Sequence, residues 1–399
     1  MGNAVSTTIG SGPSVVETTN TRARVAAIPW HVWCLAAAVT CDAFGGYWDI
    51  SWHISIGRDT FWTLPHMMVY MAGILSGIAC GYAILTTTFG SSRELKEQSV
   101  AVWGFRGPLG CFLATWGAFA MLISAPFDNW WHNAYGLDVK IISLPHSILA
   151  VGETMIGFGT LLLVCALLNR TSGPYQRKLD RLLLGIGGIE IFGAALLALE
   201  STPVGFMHSV RFYRAMASSF PIILIGLSCV SKSKWPATIM AAIYTAGFLA
   251  CLWIFPLFPA QAKLGPVYQN ITHMIPLWFP TLLLAPAFAL DLLRQRMGER
   301  WGSWQSAVVS GCLYLAVFIA VQWPFADFLI SPLARNDIFG TTYFAYFDPA
   351  NILYNPYHFA QLDKTPGVFY GGMAAAFVTA IVFCAIGMAL GNWMRTVQR

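Results

Sequence analysis

Charge is what this chain has least of. Only 10% of its 399 residues are Asp, Glu, Lys or Arg, against roughly 25% in a soluble domain. With 56% hydrophobic residues beside them, that scarcity excludes an ordinary soluble fold. Histidine is also scarce, at 8 residues, and no His-x-His occurs. The 9 cysteines form no CxxC spacing, which removes both a disulfide framework and a thiolate metal site from consideration. No GxGxxG loop, Walker motif or Ser-His-Asp arrangement is present. The net charge of +5 follows membrane topology rather than a nucleic-acid footprint.

What the chain has instead is apolar length. Ten segments are long enough to span a bilayer at about 20 residues each: 27–48, 64–88, 107–127, 142–168, 180–200, 211–231, 235–258, 271–293, 304–330 and 366–394. The expected fold is therefore all-α, a polytopic integral membrane helical bundle of about ten transmembrane helices. With a cytoplasmic N-terminus, most Lys and Arg fall in inner connections, among them Arg93, Lys96, Arg177, Lys178, Lys232 and Arg294. The positive-inside rule then puts both termini in the cytoplasm. Residues 1–24, rich in Ser, Thr and Gly, read as a disordered cytoplasmic tail. Residues 25–170 form one unit and 171–399 a six-helix membrane unit, with a long outer loop at 331–365.

Within 25–170 one pattern occurs twice. The first copy reads Asp49, His53, Gly57, Asp59, Leu64-Pro65-His66, and the second reads Asp128, His132, Gly136, Asp138, Leu144-Pro145-His146. Asp and His four apart share a helix face. The second His of each copy follows a Pro suited to a first helical turn. Each copy thus spans the end of one helix and the start of the next, a duplicated helical hairpin. Two imidazoles and a carboxylate brought together suit a transition metal with open coordination positions, whether copper, zinc or iron. Ionisable residues at membrane depth are costly and mark function by default. Asp42, seven before Asp49, and Glu153, seven after His146, are candidates to stand behind the ligands or relay protons, together with Asp59 and Asp138. Glu190 and Glu200 are further candidates.

The stretch from Asp49 to His66, with its Arg58-Asp59-Thr60 tripeptide, resembles the metal-site segment of the C subunit of copper membrane monooxygenases, the particulate methane and ammonia monooxygenases. The resemblance covers about residues 27–170. It implies that Asp49, His53 and His66 hold a copper and are catalytic, and that Asp128, His132 and His146 match a neighbouring copper site. That family has Asn where this chain has Asp128. The chain is longer than the family's C subunit, and its second half is unmatched. The family's B subunit contributes a His-rich copper site that has no counterpart here.

The second half carries His208 with Arg211 and Arg214, His273 near Pro276, and His358. The resemblance and the repeat together lead to an expectation of a copper-dependent oxidoreductase of a bacterial plasma membrane, acting on a small apolar substrate. The alternatives are a non-catalytic structural subunit of a membrane complex, and a membrane protein that binds or transports copper or zinc. The lipid bilayer is the first expected partner. Partner membrane subunits or a homo-oligomer come next, and nucleic acid is not expected.

Overall fold

In the computed structural model, residues 27–57, 60–90, 92–135, 143–263, 270–297, 302–346 and 355–399 are described. The chain is helical almost throughout. Helices α1 (Trp30–Ser55) and α2 (Leu64–Phe89) form a first hairpin, and α4 (Leu109–Tyr135) and α5 (Leu144–Asn169) form a second. Between the hairpins lie the short α3 (Arg93–Glu97) and a two-stranded antiparallel ribbon, β1 (Val100–Val102) with β2 (Phe105–Gly107). Next come α6 (Gly173–Leu197), α7 (Val210–Ser219), α8 (Pro221–Val230), α9 (Pro236–Ile254), α10 (Leu284–Met297), α11 (Ser303–Leu329) and α12 (Pro366–Met394).

Among the described residues, seven stretches are long and apolar enough to cross a membrane: α2, α4, α5, α7 continued by α8, α9 with the turn after it, α11 and α12. Pro221 divides the fourth of these, standing in the first turn of α8 where its missing N–H costs nothing. Helices α1 and α6 are as long, at 26 and 25 residues, but more polar. The stretch 271–293 departs from the expected spanning helix: its chain is non-helical as far as Leu283, and only Leu284–Met297 is helical. Pro276 and Pro280 account for this, since each lacks a backbone donor and turns the residue before it away from the helical region.

Small residues set how closely the second hairpin closes. Gly117 and Gly152 face each other across α4 and α5, and Gly110 and Gly159 do the same farther along. At each of these positions an added Cβ would collide with the opposite backbone. In the first hairpin, Gly45 lies against Val69, where a Cβ would come within 2.9 Å of a methyl carbon. Tight helix contact of this kind is how membrane helices gain van der Waals energy without a hydrophobic driving force. Here it also fixes which ends of the helices meet.

Candidate metal centres

Each trio is assembled at the mouth of one hairpin. Asp49 and His53 lie in the last two turns of α1, and His66 lies in the first turn of α2. Asp128 and His132 lie near the end of α4, and His146 near the start of α5. Pro126 sits inside α4 just before the second pair, and Ser143 caps α5 by accepting a hydrogen bond from the His146 backbone N–H.

The distances are informative. In the first trio, His66 Nε2 lies 3.3 Å from Asp49 Oδ1 and His53 Nε2 lies 3.8 Å from Oδ2. In the second, His132 Nε2 lies 3.3 Å from Asp128 Oδ2 and His146 Nε2 lies 3.6 Å from Oδ1. A charge-assisted hydrogen bond between such groups would be shorter, about 2.7–2.9 Å. Two ligand atoms each about 2.1 Å from one ion at a tetrahedral angle are about 3.4 Å apart. Both trios sit close to that second spacing. In the Asp128, His132, His146 group, one ligand atom from each residue lies within 4.8 Å of the others. Among the described residues it alone meets that test, so the second trio is the tighter of the two. His53, on the more open side of the first trio, has 42% of its side chain exposed.

The protons narrow the possibilities further. His66 Nδ1 is 3.0 Å from the Thr60 carbonyl. A carbonyl only accepts, so Nδ1 carries the proton, and the Nε2 of a neutral ring is left as a lone pair facing the carboxylate. Two acceptors face each other only if a positive charge lies between them or on the ring. A hydrogen bond from the far nitrogen to a carbonyl is also the usual support of a metal-bound histidine. Sequence reasoning does not single out Thr60. The clue available there is its place six residues before His66, just ahead of the helix. On the second site, Asp128 Oδ1 and His146 Nδ1 are buried without a hydrogen-bond partner among the described residues.

Behind the ligands lies a set of half-buried carboxyls from three helices. Asp42 of α1, Glu153 of α5 and Glu190 of α6 repel one another electrostatically, and Glu153 also feels Asp49. Glu190 packs its carboxyl against Gly157, where a Cβ would strike it. Glu153 thereby connects the two hairpins: it shares α5 with His146 and stands within reach of the charge on Asp49. Asp59 and Asp138 lie outside the described residues.

The other histidines sit elsewhere. His208 is stacked between Trp323 and Phe359, with ring centroids 3.9 and 3.7 Å apart. Its Nε2 is 3.1 Å from the Trp323 carbonyl and 3.5 Å from Asp327. Burial lowers its pKa, while that carbonyl and the Asp327 charge oppose the effect. Arg211 donates to the Glu200 carbonyl and lies over the Phe206 ring, so it ties down the turn before α7. His273 is exposed, its Nδ1 2.7 Å from the Thr272 hydroxyl.

Comparison with protein-family models, curated proteins and solved structures gave no match.

Proposed function

We propose that this chain is a copper-dependent membrane oxidoreductase, monooxygenase-like, acting on a small apolar substrate that reaches it through the bilayer. In this reading α1, α6 and the 271–293 stretch complete about ten crossings, both termini lie in the cytoplasm of a bacterial cell, and both trios open toward the outer face. The observation that carries the reading is the facing of ring nitrogens and carboxylate at the separation of ligands sharing one ion. Asp49, His53 and His66 would hold one metal, and Asp128, His132 and His146 a second. A bound copper would supply redox chemistry toward oxygen. The protein's own part is to orient the rings, through Thr60 on His66. Asp128, in place of the resembled family's Asn, adds a negative charge and favours a more highly charged cation there.

The test is metal analysis of the chain purified from membranes, with electron paramagnetic resonance. The expected result is two metal equivalents per chain, with a copper signal carrying nitrogen coupling. Zinc or iron in place of copper would keep the sites and change the chemistry, and a metal-free, correctly folded chain would sink the reading.

The series of half-buried carboxyls favours a second reading, a membrane protein that moves a metal ion or protons. Asp42 lies seven residues from Asp49, about 10 Å inward at 1.5 Å per residue, and Glu190 continues the series on α6. Uptake of copper or zinc into vesicles holding the chain, dependent on Glu190, would favour it over catalysis.

A further inference from the structure

The run from Asn270 to Leu283 is non-helical among long helices. Bare backbone at membrane depth is tolerated only where protein satisfies its polar groups or where it lines a cavity. This run does both. Ser55 Oγ accepts from Ile275 N at 2.7 Å, the Tyr47 hydroxyl from Leu277 N at 2.9 Å, the Tyr244 hydroxyl from Thr281 N at 3.1 Å, and Gln322 Oε1 from Leu282 N at 2.9 Å. Ser51 Oγ donates back to the Ile275 carbonyl at 2.5 Å. Side chains of α1, α9 and α11 thus replace the helical hydrogen bonds that the prolines forbid.

Where the run turns toward α10 it leaves a gap. Ala195, Phe220, Tyr244, Phe248, Trp278 and Thr281 line a cavity of about 20 Å³. That exceeds the roughly 10–15 Å³ that a single water needs. Space alone does not make it a water site, because water also needs two to four polar partners. The hydroxyls on its wall are already engaged: Tyr244 with Thr281 through hydroxyl and backbone, and the neighbouring Thr202 hydroxyl with the Leu199 carbonyl. Most of the remaining wall is aromatic and aliphatic carbon, with the Trp278 indole N–H beside it. Interrupted helices are where membrane proteins place small-molecule sites, and the wall here is largely apolar.

The cavity is also close to the first trio's helix. Phe248 meets the edge of Tyr47 at 5.5 Å between centroids, and Tyr47 precedes Asp49 by two residues on α1. One layer of aromatic rings separates the cavity from the helix that carries Asp49 and His53.

We propose that this cavity is a docking site for an apolar molecule of one or two heavy atoms. The choice of dioxygen within that class rests on the oxidoreductase reading above, since a redox metal centre consumes it. The site itself does not depend on that reading.

Xenon is the probe, because it is apolar, of the right size and visible by anomalous scattering. Crystals of the full-length chain pressurised with xenon should show a peak among Phe220, Phe248 and Trp278. Ala195→Phe, which fills the space, should abolish the peak, and Phe248→Ala, which enlarges it, should raise the occupancy at equal pressure. An empty cavity in both the unaltered chain and Phe248→Ala would overturn the proposal. So would an ordered water bonded to Tyr244 in the unaltered chain. Xenon needs no metal, so the two failures separate. A xenon peak in a chain that binds no metal ends the oxidoreductase reading alone, and a metal-loaded chain without a peak ends the cavity proposal alone.

Discussion

His66 reaches from the first turn of α2 back to Asp49 near the end of α1, and its Nε2 stops 3.3 Å from the carboxylate. The Thr60 carbonyl holds the opposite nitrogen, so the ring is oriented from behind and turns Nε2 to the carboxylate. That single relationship joins two helices, puts a proton on Nδ1 and brings Nε2 to face the Asp49 carboxylate. It is the physical basis of the metal-centre reading.

His53→Ala should remove about one metal equivalent and abolish any oxidation activity, and His132→Ala should remove the other equivalent, since each trio has only three protein ligands to offer. Inductively coupled plasma analysis on the folded, purified variants is the check. Unchanged stoichiometry in both, with the fold intact, would end the metal reading of the repeat.

Asp128→Asn keeps shape and removes one negative charge. The fold should be retained, and metal should weaken at the second trio only, because the first trio has its own carboxylate in Asp49. Competition with a chelator at graded strength would reveal it as one weakened equivalent. Equal weakening at both sites would show the two trios acting as one centre.

The α4 and α5 contact positions His146 against Asp128 and His132. Gly117→Val should therefore cost about 1–3 kcal/mol by overpacking, read as a lower thermal midpoint in detergent. Metal retention at the second trio should fall with it, while the first trio, built on α1 and α2, keeps its metal.

His208 is lowered in pKa by burial between two aromatic faces, and it lies just before α7, outside the apolar span that begins at Val210. A histidine with a depressed folded value adds stability that is complete above its ordinary value of 6.5. That stability is lost as pH falls through the folded value, because the unfolded chain takes up the proton first. Thermal midpoints should fall on acidification across that window, and His208→Gln should flatten the dependence. A variant with the same slope would move the effect to other groups.

The repeat is legible in the sequence because its requirements are local. Asp and His four apart share a helix face whatever surrounds them, and Leu-Pro-His starts a helix by the chemistry of proline. The membrane class is legible for the same kind of reason: apolar length and scarce charge are sums over residues. Over 271–293 hydropathy misleads, because it counts carbon and does not count hydrogen bonds. The prolines there are visible, but the hydroxyls of Tyr47, Ser55 and Tyr244 that make an extended chain tolerable come from helices far away in sequence.

By itself, then, the sequence determined which side chains share a turn, which segments are too apolar for water, and which residue types are offered as ligands. Tertiary structure decided the rest, because distances between helices depend on packing that no local rule contains. The glycine contacts of α4 and α5 bring His146 to Asp128. The turn at Thr60 aims His66, and α5 carries Glu153 from one hairpin to the charge of the other. A cavity is a failure of close packing among α6, α9, the junction of α7 with α8 at Phe220 and the non-helical run at Trp278, and such a gap exists only once all of these have met.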